Sequence, residues 1–408
     1  MNKINNMTTR KKLLIYKILL FVFALFIAFM PSTASRSKEV NSRVIVDILG
    51  LDGGDDKISI TAQYVMPTEA QGATGKDTVT VDGKTLDEAV EKLNTTLGRR
   101  AELGHCSMVI VGSDVKTDVL GSLMTATDVT ADVWVAASDG KAEELMGDIT
   151  DFMKKTGVTD AGFIAYSAKK EHIATNTLLG FLSDLNSASK TAYIPLVEMH
   201  SEKKSESGGQ GSGGGGSESG GESESSGGGG QSDGGGKGEG EEKTGMKVEK
   251  LAVYGENGRL GVFDPTSARG VAWVSAPVEQ GTVCSDVEYD GKLIQGVCGR
   301  LLKKHVSVKV DKDTATATVK VKAFIEPHGD KFNYLFSKNN KKAADALIAG
   351  YKKKIISEMQ SAYNSSVEIN ADPMFIGRQF YRLYPDYFNT EYDYSAINVK
   401  YQVEIALK

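Results

Sequence analysis

Reactive chemistry is scarce in this 408-residue chain, which has three cysteines, five histidines and two tryptophans. Cys106, Cys284 and Cys298 are odd in number and cannot all pair within one chain. Their spacing has no C-x-x-C, so the usual zinc patterns are excluded. His105, His172, His200, His305 and His328 are scattered, with no H-E-x-x-H and no i, i+4 pair to make a zinc-binding helix face. No metal or other cofactor is expected. A basic excess is also missing, since the net charge is -5. A nucleic-acid surface needs such an excess on a domain, so no nucleic-acid partner is expected. The negative balance has one source, a tract from Glu202 to Gly245 with nine acids and four lysines. The remainder is close to neutral.

The motifs that do match by letter carry little. Gly211, Gly213 and Gly216 satisfy G-x-G-x-x-G, but in low-complexity sequence with no strand before or helix after. Gly83-Lys84-Thr85 resembles the end of a phosphate-binding loop, yet Thr78 stands where the first glycine is required. Cys106 beside His105 is the nearest approach to a nucleophile and base. Adjacent strand residues point to opposite faces, which keeps those two apart. No catalytic residues and no enzyme activity are expected.

What is present begins with export. An apolar run from Ile18 to Met30 follows Arg10, Lys11, Lys12 and Lys17 and precedes Pro31-Ser32-Thr33-Ala34. A charged region, an apolar core and small residues at a cleavage position match a secretory signal. The same stretch also reads as an anchor, because Leu13 to Met30 spans about 27 Å as a helix against a hydrocarbon core of about 30 Å. Residues 1–37 are therefore a signal peptide or an N-terminal membrane anchor, and the rest is extracytoplasmic.

The tract from Gly208 to Gly245 holds 19 of the 45 glycines and no aliphatic residue. It cannot bury a core, and disorder is expected there. The flanking segments Ala192 to Val197 and Val248 to Tyr254 both read as short strands. Lengthening a loop between paired strands costs only about 0.6 kcal/mol per doubling. An interdomain linker and an enlarged loop inside one domain both fit.

Elsewhere strands and helices alternate, and the expected class is α+β, with mixed and antiparallel sheets under covering helices. Arg43 to Leu49, Lys57 to Val65 and Asp77 to Val81 read as strands. Leu86, Ala89, Val90, Leu93 and Leu97 make one helix face, opened by a capping box at Thr85 and Glu88 and closed by Gly98. Cys106 to Val111 and Asp132 to Ala137 read as buried strands, with helices at Val115 to Met124, Lys141 to Met153 and Thr177 to Leu185. Asn257-Gly258 marks a hairpin turn, and Thr266 to Val274 a short helix. Val306, Val308 and Val310 alternate with polar residues, as do Val319, Val321, Ala323 and Ile325 beyond a turn at Asp311-Lys312-Asp313. Leu347, Ile348, Tyr351, Ile355, Met359 and Tyr363 share one face of a long helix, which leaves Lys352, Lys353 and Lys354 towards solvent. That lysine run is a candidate contact with anionic lipid. Ile397 to Leu407 alternates without a miss, so a strand covered on one face ends the sequence.

Cys284 and Cys298 flank an Asp290-Gly291 turn. A two-residue loop there sets Cys284 against Val297, one position off, so a disulfide between the cysteines requires a bulge. The other reading is two small apolar side chains facing the interior.

Several segments together resemble the C subunit of spore germinant receptors, the Ger(x)C family. In the first half these are Gly83-Lys84-Thr85-Leu86, Leu103-Gly104-His105 leading into Met108 to Gly112, and Ala192-Tyr193-Ile194-Pro195-Leu196-Val197-Glu198. In the second half they are Leu251 to Tyr254, Gly261-Val262-Phe263-Asp264, Arg269-Gly270, Trp273 and Tyr381-Arg382-Leu383-Tyr384-Pro385. The resemblance implies a non-enzymatic subunit of three α+β domains on the outer face of the spore inner membrane, working with membrane-embedded A and B subunits. Its domains are expected at 38–155, at 156–275 interrupted by a disordered loop 201–246, and at 276–408. The resemblance favours the enlarged-loop reading of the tract. Members of the family usually carry a lipobox cysteine after the apolar run. Pro31-Ser32-Thr33-Ala34-Ser35 stands there instead, which leaves Leu13 to Met30 as the visible means of holding the chain to a membrane. The rival class is an exported solute-binding protein that captures a small ligand between domains.

Overall fold

Four strands with apolar residues on both faces organise the main body of the protein. The computed structural model describes residues 14, 16–24, 43–53, 56–67, 74–158, 160–202, 243–276, 281–336, 341–388 and 394–408. The chain divides into two units, residues 1–44 and 45–408. In the first, residues 16–24 form a helix, α1, with Leu19, Leu20, Phe21 and Phe23 exposed. Among the described residues no helix is long and apolar enough to cross a membrane. Much of the Leu13 to Met30 segment lies outside them.

Strand β1 (Arg43–Gly53) has all but its first two residues in the second unit and is followed there by β2 (Ile58–Pro67), β3 (Thr74–Gly83) and helix α2 (Leu86–Leu97). The short strand β4 (Arg100–Glu102) leads to β5 (Met108–Val111), α3 (Thr117–Ala126), β6 (Trp134–Ser138), α4 (Ala142–Thr156) and α5 (Gly162–Lys170). Next come β7 (Asn176–Thr177), α6 (Leu178–Leu185), β8 (Ala192–Glu202), β9 (Lys243–Gly255), β10 (Gly258–Phe263) and α7 (Pro265–Ser275). All ten of these strands belong to one sheet, in the order β10-β9-β8-β6-β5-β1-β2-β3, with β4 and β7 at the side. Strands β1, β5, β6 and β8 run parallel, and antiparallel pairs extend both ends. A boundary at 155/156 therefore does not separate two sheets: the stretches 38–155 and 156–275 share one. The parallel crossovers that build it place β8 beside β6, and periodicity along the chain does not encode such long-range neighbours.

Parallel strands are buried on both sides, and alternate residues supply the two cores. Leu49, Leu51, Val109 and Val111 face Leu93 of α2, Leu120 and Leu123 of α3 and Phe181 of α6. Ile48, Met108 and Ile110 face Met146 and Ile149 of α4, Ile164 of α5 and residues of α7. The start of α2 follows from local chemistry, since the Glu88 N–H donates to Thr85 Oγ1 at 3.2 Å and the Lys84 N–H to Glu88 Oε2 at 2.9 Å. Such a cap stabilises by about 1 kcal/mol. Gly98 closes the helix at φ 62°, a left-handed conformation that suits glycine.

The tract falls between β8 and β9, which pair antiparallel from Ala192↔Tyr254 to Glu202↔Lys243. Residues 203–242 lie outside the described residues. The β9–β10 hairpin pairs Gly255 with Gly258, so its two turn residues are Glu256 and Asn257, one earlier than the Asn257-Gly258 expected.

The remaining elements are β11 (Thr282–Tyr289), β12 (Lys292–Asp311), β13 (Thr316–His328), α8 (Asp330–Phe336), α9 (Lys341–Glu368), α10 (Ile376–Leu383) and β14 (Asn398–Leu407). They form a four-stranded sheet in the order β11-β12-β13-β14, with β13 and β14 parallel. Parallel neighbours need a long crossover, which α8, α9 and α10 provide. Leu347, Tyr351, Ile355 and Met359 of α9 share one continuous core with α7 and with Val319, Val321 and Ile325 of β13. That core also reaches α4 and α5, so the second sheet is not packed separately from the first.

Candidate functional site

The most polar part of this shared core lies where α7 crosses α9. Asp264 caps α7, accepting from the N–H groups of Thr266 at 2.7 Å and Ser267 at 3.2 Å, and Pro265 takes the first helical position, where no N–H is needed. The helix then presents Arg269, Gly270 and Trp273 to α9. A Cβ on Gly270 would lie 2.0 Å from the Glu358 carbonyl oxygen and 2.6 Å from Ala362 Cβ. Only glycine allows this approach.

Close contact brings Glu358, 3% exposed, into a set of donors. Arg269 Nε donates to its Oε1 at 3.0 Å and Trp273 Nε1 to its Oε2 at 2.8 Å. Lys354 Nζ lies 3.3 Å from Oε1. A buried carboxylate is tolerable when its oxygens are taken this way. At the end of α7, Lys304 of β12 donates to the carbonyls of Ala272 and Trp273 and places its charge where the helix dipole is negative. Burial pushes its ammonium down to about 7.

His172, in the link between α5 and β7, lies against Trp273 with ring centroids 4.4 Å apart. It is buried, and its backbone is left-handed at φ 57°. Burial, then the charges of Lys304 and Arg269, hold its imidazole well below the usual range, so it is neutral. A cavity of about 370 Å³ adjoins the cluster, bounded by His172, Arg269, Cys284 and Glu358 among others.

Cys284 and Cys298 face each other across β11 and β12 with sulfurs 2.06 Å apart and Cα atoms 4.0 Å apart. The register shifts between Ser285 and Val287, which supplies a bulge. Gly296 sits there at φ 65°, and its N–H donates to Asp286 Oδ1 at 2.9 Å. Cys106 is the free thiol, buried on the other core, where burial pushes it up to about 12. It is a poor nucleophile there. His105 ends a short 3-10 turn and points to solvent. Lys352 and Lys353 are exposed on α9, whereas Lys354 turns to Glu358. At Gly83-Lys84-Thr85 the Lys84 N–H donates to the Glu88 carboxylate and the Glu88 N–H to the Thr85 hydroxyl, and a Cβ on Gly83 would lie 2.5 Å from the Ala89 nitrogen. Those residues make a tight strand-to-helix turn. Among the described residues no group of three or more His, Cys, Asp or Glu is placed to hold a metal.

Sequence reasoning singled out neither Glu358 nor Lys304. Each carried a parity signal. Glu358 lies seven residues after Tyr351 and three after Ile355, on the buried stripe of α9. Lys304 shares the even-numbered face of β12 with Val306 and Val308, while Lys303, His305 and Ser307 face out.

The fold and this cluster define an α+β protein whose buried charges join helices, a strand and a loop and hold no paired nucleophile and base. Two family models match it: "Spore germination protein N-terminal domain" over residues 36–199 and "Spore germination B3/ GerAC like, C-terminal" over residues 249–408. The chain belongs to the germinant receptor C-subunit family. A solved structure titled "Crystal Structure of the GerBC protein" is similar at 14% identity and a TM-score of 0.42, over 88% of this chain and 96% of that one. Comparison with curated proteins gave no match.

Proposed function

We propose that this protein is a non-enzymatic, extracytoplasmic and membrane-associated subunit of a spore germinant receptor, acting through contacts with membrane-embedded A and B subunits. The observation that carries this reading is the pair of family matches, at residues 36–199 and 249–408, in the order the family requires. Two features support it. The polar groups at the α7–α9 crossing are consumed in holding the fold together, which suits a part that works by contact. The exposed apolar side chains of α1 suit an attachment to lipid or to a membrane partner.

Spores lacking the gene test the proposal. They are expected to lose their response to at least one germinant and to regain it when the full chain is restored. An affinity-tagged copy is expected to bring down multi-span receptor subunits from spore inner membranes. A normal response to every germinant in the deleted spores, or a tagged chain recovered with no membrane subunit, would overturn it.

A further inference from the structure

A second cavity, of about 470 Å³, shares His172 as a lining residue with the cavity beside the Glu358 cluster. It is lined from both family-matched regions: Trp134, Lys169 and Asp184 belong to the first, and Phe375 and Arg378 to the second. Its size is in the range of about 300–1,000 Å³ that holds small organic ligands, and such pockets favour junctions of this kind.

The walls combine flat apolar surfaces with held charges. Tyr193 and Phe375 lie with ring centroids 5.8 Å apart. Lys169 Nζ sits 5.5 Å over the Trp134 ring, and the Arg378 guanidinium carbon 5.6 Å over the Phe375 ring. Asp184 accepts from Asn176 Nδ2 at 3.1 Å and from Arg378 Nη1 at a long 3.4 Å. That single long contact leaves most of the Arg378 fork available for a planar carboxylate.

Two further features point to a ligand. His172 and Phe375, both left-handed at φ 57° and 55°, line this one cavity. Side chains held in that region are costly and gather at binding sites. His172, which lines both cavities, has a buried Nε2 with no hydrogen-bond partner, where native structures pair almost all such atoms.

We propose that this cavity binds a small organic monocarboxylate with a flat apolar body, its carboxylate on Arg378 and its body between Trp134, Tyr193 and Phe375. Occupancy then bridges the two halves of the chain beside Trp273. The inference stands on the cavity alone and does not depend on the receptor assignment.

Equilibrium dialysis of the purified full-length chain against radiolabelled benzoate tests it. Saturable uptake of one benzoate per chain is expected, with Kd below about 1 mM. Arg378→Gln is expected to weaken it at least tenfold while circular dichroism stays unchanged, and neutral benzamide is expected not to compete. Thr175→Phe, which fills the cavity and leaves the Asp184–Arg378 pair in place, is expected to abolish uptake and serves should Arg378→Gln disturb folding. No saturable uptake up to about 10 mM would overturn the proposal. So would equal uptake by Thr175→Phe, or equal competition by benzamide.

Discussion

Replacing Glu358 with alanine should be among the most damaging single changes available in this protein. Both carboxylate oxygens are used, and the residue is 3% exposed. Its loss leaves Trp273 Nε1 buried without an acceptor, at a cost of about 1–3 kcal/mol. Arg269 loses its partner as well. Because its side chain keeps 23% exposure, the full about 3–5 kcal/mol for breaking a buried pair does not apply, and about 1–2 kcal/mol is a fair share. The removed methylene adds about 1 kcal/mol. A total of about 3–6 kcal/mol follows, a large part of the about 5–15 kcal/mol that holds a typical domain folded. Glu358→Gln keeps the shape and one acceptor but turns an NH2 group towards a donor, so about half that loss is expected. Lys354→Met, at a side chain that is 35% exposed, should cost under about 1 kcal/mol. Urea unfolding followed by tryptophan fluorescence measures all three, and Trp273 reports from inside the network. The expected order of damage is alanine, then glutamine, then Lys354→Met. A cost below about 1 kcal/mol for Glu358→Ala, or equal costs for alanine and glutamine, would refute the view that this carboxylate ties α7 to α9.

Two other outcomes follow from the same region. Titration of the denatured, unreduced protein should find one reactive thiol, Cys106, rising to three after reduction; removing the crosslink with Cys284→Ala/Cys298→Ala should cost about 3 kcal/mol, as expected for a closed loop of about 15 residues. Lys304 gives a pH signature: its folded value of about 7 lies below the unfolded value of about 10.4, so between them the unfolded chain binds the extra proton and stability rises with pH. The stability difference between wild type and Lys304→Met isolates this from Asp372, whose carboxyl burial pushes up to about 7, and should shift in favour of wild type by up to about 4 kcal/mol from pH 7 to 10.5. A flat difference would mean that the ammonium is not enclosed.

How far the sequence could be read depended on the range of the interaction involved. Thr85, Glu88 and Gly98 bound α2 through contacts within one turn, and such contacts are written in neighbouring residues. The alternation in β12, β13 and β14 and the buried face of α9 were legible in the same local way, from spacing along a single element. The pairing of β6 with β8, which merges the stretches on either side of 155/156 into one sheet, leaves no local trace. The helix α5 was also missed: it buries only Ile164, Ala165 and Ala168, starts at a glycine and exposes Tyr166, so its stripe is too weak to stand out. Cys284 and Cys298 fall between these cases. Turn length alone sets them one residue apart, and the bulge at Gly296 changes the count, so an isolated glycine inside a strand pattern was the available sign. The cluster around Glu358 and Lys304 was hidden for a different reason. A charge on a buried stripe looks like an error in the period until its partners are known, and those partners, Arg269 and the end of α7, lie 89 and 31 residues away. Breaks in periodicity are therefore where such a cluster should be sought: in β12 and α9 the residue that violated the pattern was the one that joined distant parts of the chain.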